Sequence, residues 1–390
     1  MTVAAPPFVA NVVLNARRRL RRAADRFLPP DIATFDLATG VGVTHALGAF
    51  ARLGIADVLH ERRMGADELA PRIGADADAL HRLLRAAATA GIVEMDHAGT
   101  ARLTRLGETL RSSHPRSQRD WCIYMSSPAV TEAWAGLTDA VRTGESAFHN
   151  VHGRTVWEYF ADHPEEERTF TGAMQRMTAA SAPAIAAAYP WPAGGSVCDV
   201  GGGAGALLAA ILDTDASLRG ILLDNCSVLA EGGRLLAARG HVARANLVVG
   251  DFFDRIEVKA DVYVLKDVLH DWDDERSLKI LECVRAAAPH GARIVLVETP
   301  QEPNAPHPFA SIEDLQMLAQ CEGGRQRSVA QLRSLLLRAG FTVGEVYETL
   351  THALVEGVAV ARPSAAALAT QGTPAVADDG VDERHGGRLA

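Results

Sequence analysis

The segment Val197-Cys198-Asp199-Val200-Gly201-Gly202-Gly203-Ala204-Gly205 packs glycines and one acid between an apolar run and a helix-like stretch. Glycines at a strand-to-helix turn let the backbone bend tightly and approach a ligand closely. Gly201, Gly203 and Ala206 also satisfy, loosely, the dinucleotide pattern GxGxxG/A, so glycines alone do not select a ligand. Asp199 does. A carboxylate just before the loop repels a pyrophosphate and suits a cationic ligand carrying an ammonium and a sulfonium. Asp224 closes Leu222-Leu223-Asp224, placed to accept hydrogen bonds from ribose hydroxyls. In Gly250-Asp251-Phe252-Phe253, Asp251 can accept from an adenine amino group and Phe252 can stack on the ring. Alone, each acid reads as a surface residue; together, at the ends of consecutive strands, they describe an adenosine site.

The second constellation is Leu265-Lys266-Asp267-Val268-Leu269-His270-Asp271-Trp272-Asp273-Asp274-Glu275, with Glu298 beyond the next strand. An isolated histidine is more often structural than catalytic, but this one follows a strand end and neighbours Lys266 and Trp272. A sulfonium methyl is already electrophilic, so the protein has only to align an acceptor oxygen and remove its proton. A phenol titrates near about 10 and imidazole near about 6.5, so a neutral His270 in contact can take the proton as the oxygen attacks. Such a base contributes on the order of 10²–10⁴-fold. Glu298 is placed to brace the other imidazole nitrogen and stabilise the imidazolium, as the acid does in a triad.

The elements that must hold these groups follow from the apolar pattern. Ser196–Val200, Gly220–Leu223, Asn246–Val249, Asp261–Leu265 and Arg293–Val297 are short apolar runs, separated by helix-like Ala204–Leu212, Val228–Arg239 and Asp274–Ala288. Such alternation predicts an α/β fold, a doubly wound, mostly parallel Rossmann-like sheet. Helix 329–339 and strands at 342–348 and 353–361 close this domain, assigned to 191–362. Upstream, Val43, Leu47, Phe50 and Leu53-Gly54 read as a helix with a C-terminal glycine. Helices over 67–73 and 76–90 each open at an acidic cap, and two short strands flank a turn at Ala98-Gly99. This is a winged-helix pattern over 31–117. Residues 118–190 read as a helical region, residues 1–30 as an irregular basic leader, and 363–390 as a disordered tail.

Composition narrows the function. A net charge of -9 speaks against a nucleic-acid surface, and the winged helix carries only His81, Arg82 and Arg85 on its recognition segment, balanced by Asp76 and Asp78. The basic run Arg17–Arg22 with Arg26 reads as a solvated leader. No apolar stretch reaches the roughly 20 residues of a membrane span. The N-terminus lacks a signal-peptide pattern, and five scattered cysteines without a CxxC pair fit reduced thiols in a cytoplasm and no metal site.

With these residues in hand, the chain resembles the plant caffeate-type and bacterial natural-product O-methyltransferases, a class I S-adenosylmethionine family, from about Phe35 to Val360. The resemblance implies that Gly201, Gly203, Asp224, Asp251, Phe252 and Lys266 contact the cofactor beside Asp199, which yields S-adenosylhomocysteine. It implies His270 as base and Glu298 as a bracing acid. Phe170, Met174, Met177 and Met317 match acceptor-pocket positions, and Met125, Trp272 and Cys321 complete the candidate set around a small hydroxylated acceptor. It implies a homodimer built on the N-terminal domain. The chain departs from the plant pattern in Cys321-Glu322-Gly323-Gly324-Arg325-Gln326, where Cys321 replaces an asparagine and Gln326 a second bracing glutamate. Gln326 can orient His270 but cannot offset its charge. Three rival readings have distinct signatures: a relative performing decarboxylation or hydroxylation, a nicotinamide oxidoreductase that leaves Asp199 and His270 unexplained, and a winged-helix regulator that would need a basic recognition face.

Overall fold

The computed structural model describes residues 16–17, 19–20, 22–305 and 310–361; the expected tail and the first part of the leader lie outside them. Residues 16–17, 19–20 and 22–25 are helical, which corrects the expectation of an irregular leader. Arg, Ala and Leu are strong helix formers, and charge does not prevent a helix. The next helix, Pro30–Ala38, starts with its proline in the first turn.

Helices Gly40–Arg52, Ile55–Leu59, Ala66–Ile73 and Ala77–Thr89 pack on a small antiparallel sheet. Its strands β1 (Met64–Gly65), β2 (Val93–Met95) and β3 (Thr100–Leu103) lie in the order β1-β3-β2. Asp76 caps its helix, accepting from the Ala79 amide at 2.9 Å. Asp67 does not cap: Gly65 holds that position, and Asp67 lies in the first turn. Phe50, Ile55, Leu69 and Leu84 are fully buried in the core of this domain.

The large apolar residues between 32 and 60 divide in two. Phe50 and Ile55 turn into the domain's own core, whereas Phe35, Leu37 and Val41 are 69%, 68% and 61% exposed. Helical spacing marks an apolar face but does not say which element covers it.

Six helices (Arg119–Met125, Pro128–Ala135, Leu137–Thr143, Ala147–His152, Val156–Asp162 and Pro164–Ala188) form the central region, around buried Tyr124, Val130, Phe148 and Phe160. The last runs for 25 residues and packs on helix Ala206–Thr214 of the following domain.

The large sheet contains β4 (Ser196–Val200), β5 (Arg219–Asp224), β6 (Ala245–Val249), β7 (Val262–Lys266), β8 (Arg293–Glu298), β9 (Phe341–Glu348) and β10 (Ala353–Ala359), ordered β6-β5-β4-β7-β8-β10-β9. β4 to β8 are parallel, while β10 runs antiparallel to both β8 and β9. Val262–Leu265 and Ile294–Val297 are fully buried, since helices cover both sheet faces. The strand order reverses at β4, between β5 and β7, and this is where such sheets open a crevice at the strand ends.

Candidate active site

Gly201, Gly203 and Gly205 adopt positive φ values of 68°, 56° and 72°, which carry the chain from β4 around to helix Ala206–Thr214. At Gly202 the constraint is contact: a Cβ would lie 2.5 Å from Leu222 Cδ1 and 2.6 Å from the Asp199 carboxyl carbon. Asp224 fixes the loop from the neighbouring strand, accepting from the Gly203 amide at 2.8 Å and the Asn225 amide at 2.7 Å. Asp199 lies beneath the loop, 1% exposed, with no hydrogen-bond partner on either carboxylate oxygen. Burial, aided by the charge of Asp224, pushes its pKa up to about 7. An unpartnered buried carboxylate under a glycine cradle fits a cationic ligand, because a nearby positive charge would stabilise its ionised form. Phe252 lies over the loop, with its ring 3.3 Å from where a Gly201 Cβ would stand. Asp251 is exposed beside it and accepts from the Phe253 amide at 2.8 Å.

The chain leaves β7 through Asp267, whose φ of 50° is the only positive value at a non-glycine among the described residues. Aspartate tolerates this left-handed geometry better than most residues. The Asp267 amide donates to Val297 O at 3.0 Å, and its carboxylate meets Lys266 Nζ and His352 Nε2, the latter at 3.3 Å. Burial opposes ionisation of Asp267, but the charge of Lys266, with the His352 ring beside it, holds its carboxyl well below the usual range. Lys266 is thereby enclosed, and its Nζ also reaches Thr178 Oγ1 on the long helix at 3.3 Å. Asp267, His270 and Glu298 bring their polar atoms within 4.8 Å of one another. Lys266 and His352 already pair Asp267.

His270 sits in a single 3-10 turn, Leu269–Asp271. Arg327 clamps that turn: it is 2% exposed and donates to Leu269 O at 2.7 Å and Trp272 O at 2.8 Å, while pairing with Asp274. The Arg325 amide donates to His270 O at 2.8 Å. Gly324 permits this approach, since a Cβ there would stand 2.8 Å from His270 O. Around the ring, Gln326 Nε2 lies 2.9 Å from Nδ1, Glu298 Oε2 is 3.9 Å from Nδ1, and Asp271 Oδ1 is 3.5 Å from Nε2. The Nδ1 hydrogen-bond position thus belongs to Gln326. Glu298 stands at ion-pair range, with Oε1 accepting from the Leu269 amide at 2.9 Å and Oε2 free of hydrogen bonds. Burial alone would lower the imidazole pKa, but Asp271, Glu298, Asp267 and Glu313 together raise it to about 9. Burial in turn raises Glu298 to about 7.

The expected acceptor-contacting residues fall in two groups. Phe170 joins an aromatic cluster with Tyr124 and Phe160, each at 5.1 Å between ring centroids, and Met125 packs on the same cluster. Met174 and Met177 are half-buried on the following turns of the long helix. Trp272 stacks on Trp157 at 6.2 Å and meets Phe253 edge-on at 4.7 Å, which ties the cluster to the His270 turn. Met317 and Cys321 are buried along and beyond helix Ala310–Gln320; Cys321 Sγ lies 3.5 Å from Asp271 Oδ1, and Tyr124 donates its hydroxyl proton to Gln320. Sequence reasoning missed Asp267, Glu313, Arg327 and His352. Only Asp267 lay inside a motif already singled out.

Residues 134–342 match the model of the O-methyltransferase domain, and residues 35–113 that of the O-methyltransferase dimerisation domain. The chain belongs to the O-methyltransferase family. It is similar to the phenazine O-methyltransferase PhzM of Lysobacter antibioticus, at 36% identity over 83% of this chain and 94% of that protein. Among solved structures, LaPhzM matches with a TM-score of 0.81 and 35% identity, covering 85% of this chain and all of that one. The neocarzinostatin-pathway O-methyltransferase NcsB1, solved with S-adenosylmethionine and 2-hydroxy-5-methyl naphthoic acid, matches with a TM-score of 0.71 and 34% identity over 81% of this chain and 96% of that one. Aclacinomycin 10-hydroxylase RdmB of Streptomyces purpurascens is 35% identical over 85% of this chain and 91% of its own length. The family assignment makes this protein an S-adenosylmethionine-dependent methyltransferase with a dimerisation domain. No described helix is long and apolar enough to cross a membrane.

Proposed function

We propose that the protein methylates a hydroxyl of a small aromatic or polyketide-type metabolite in the cytoplasm, with His270 as general base. The observation that carries this reading is the position of His270: a half-buried imidazole ringed by carboxylates, on the strand-end side of the sheet next to the glycine cradle. S-adenosylmethionine, when bound, supplies an electrophilic methyl group. Asp199, Gly201, Gly203, Asp224, Asp251, Phe252 and Lys266 would hold it, with Asp199 opposite its positive charge. Met125, Phe170, Met174, Met177, Trp272, Met317 and Cys321 would shape an apolar slot for a flat acceptor, in keeping with the phenazine and naphthoic acid named for the relatives. His270 takes the hydroxyl proton as the oxygen attacks, and Glu298 and Gln326 steady the ring. We assign these roles to a dimerisation domain at 31–117, a helical acceptor region at 118–190 and a catalytic domain at 191–362.

Calorimetry should show S-adenosylmethionine and S-adenosylhomocysteine binding, and NAD failing to bind. A scan of phenolic and polyketide acceptors with methyl-labelled S-adenosylmethionine should then give a methylated product. The similarity to a hydroxylase favours one second reading, in which the cofactor is held but its methyl is not transferred. Product mass separates the two: a gain of one methylene unit supports methylation, and a gain of one oxygen supports hydroxylation.

A further inference from the structure

Gln326 stands beside Nδ1 of His270, where a carboxylate would offset the charge that the ring acquires, and a carboxamide has none to give. The same amide reaches further. Its Nε2 lies 2.9 Å from Nδ1 and 3.4 Å from Oε2 of Glu313, and its backbone amide donates to Asp314 Oδ1 at 2.7 Å. Gln326 is 5% exposed, and its Oε1 has no hydrogen-bond partner. The carboxamide is therefore held from the Glu313–Asp314 side. Glu313 sits half-buried in the first turn of helix Ala310–Gln320, the helix that also carries Met317.

We propose that Glu313 is a positioning residue for His270: acting through the Gln326 carboxamide, it is the remote acid that orients the imidazole and offsets its charge. With Nε2 between them, the amide offers one hydrogen to a bare Nδ1 and the other to the Glu313 carboxylate. It fixes direction while Glu313 supplies the charge. Glu313 does not act alone on the ring. Asp271 faces Nε2 from the same turn, Asp267 lies just before it, and Glu298 reaches Nδ1 from the end of β8. Lys266 and His352 pair with Asp267, and Arg327 binds Asp274 and the turn's carbonyl oxygens. Within this set Glu313 is the carboxylate linked to the ring by a hydrogen-bonded side chain. Its burial next to Asp267 raises its own pKa, while His270, His352 and Lys266 pull it down, so the acid and the ring titrate in each other's field.

The proposal rests on the preceding assignment of His270 as the base, yet its test reads the imidazole and not turnover. The probe is the dimeric protein saturated with S-adenosylhomocysteine, with histidines labelled in 13C and 15N, the His270 signal being identified by its loss in His270→Gln. Glu313→Gln should lower the His270 titration midpoint by about one pH unit, because one facing carboxylate is gone. The exchange variant Glu313→Gln/Gln326→Glu, which moves the acid onto Nδ1 itself, should return the midpoint to the wild-type value or above. A Glu313→Gln midpoint within about 0.2 unit of wild type, or an exchange variant that stays below wild type, overturns the proposal. If Glu313→Gln does not fold, the exchange variant carries the test alone. Turnover in His270→Ala fails or survives independently of these midpoints, so the two assignments can be told apart.

Discussion

At neutral pH the imidazole of His270, with its pKa raised to about 9, holds a proton before any acceptor arrives. A base in that state must first lose its proton, so turnover should climb with pH well past the ordinary histidine range and level off near pH 9. His270→Ala should lose this limb and lower kcat by roughly 10²–10⁴-fold while leaving cofactor affinity nearly intact, as initial rates and calorimetry would show. Glu298→Gln should cost less and move the limb to lower pH, because a carboxylate that raises the histidine is removed. Asp199 makes a second, opposite kind of prediction. Its pKa is raised in the folded protein, so its contribution to stability is complete below the unfolded value of about 4 and is lost as pH rises through about 7. Above that range the ligand-free protein keeps an ionised, unpartnered carboxylate under the loop. Asp199→Asn should therefore raise the melting temperature of the ligand-free protein at pH 8 and weaken S-adenosylmethionine binding. A variant that melts lower and binds normally would reverse the assignment.

Among the elements, two loops owe their path to a missing side chain. Gly202→Ala drives a methyl into Leu222 and Asp199, whereas Gly324→Ala drives one into the carbonyl of His270. Overpacking of this kind costs about 1–3 kcal/mol. The first should reduce cofactor affinity, and the second should lower kcat with cofactor affinity retained; calorimetry and rates on both variants distinguish the two loops. The sheet was readable because Val262–Leu265 and Ile294–Val297 are buried on both faces and so appear as unbroken apolar runs, with the chemical motifs directly after them. Other features depended on contacts far apart in sequence. The pairing of Asp267 with His352 spans 85 residues, and the left-handed turn at Asp267 has no marker such as glycine. Arg327 resembles any surface arginine until Leu269 and Trp272 turn their carbonyl oxygens toward it. The antiparallel insertion of β10 between β8 and β9 is likewise a matter of pairing, which strand-like composition does not encode.

For the whole molecule, exposed Ile32, Phe35, Leu37 and Val41 lie in or beside the segment that matches the family's dimerisation domain. The dimer should bury them in an interface above about 2,000 Å². Light scattering at micromolar concentration should give twice the mass of the chain, and Phe35→Glu with Val41→Glu should shift it toward monomer or aggregate. Within each chain, the walls expected to meet the acceptor come mainly from the helices between Arg119 and Ala188, while the proton-handling groups come from the sheet and its loops. The helical block joins the catalytic domain through the apolar packing of Ala182, Ile185 and Ala186 into the sheet's core and the stack of Trp157 on Trp272, with polar seams beside them: Thr178 with Lys266, His149 with Glu322, Glu167 with Ser227, and Tyr124 with Gln320. A graft of residues 119–188 from a relative should import the part of its acceptor preference that does not depend on Trp272, Met317 and Cys321, provided the donor keeps apolar residues at 182, 185 and 186 for the sheet's core, a hydroxyl at 178 for Lys266 and an imidazole at 149 for Glu322.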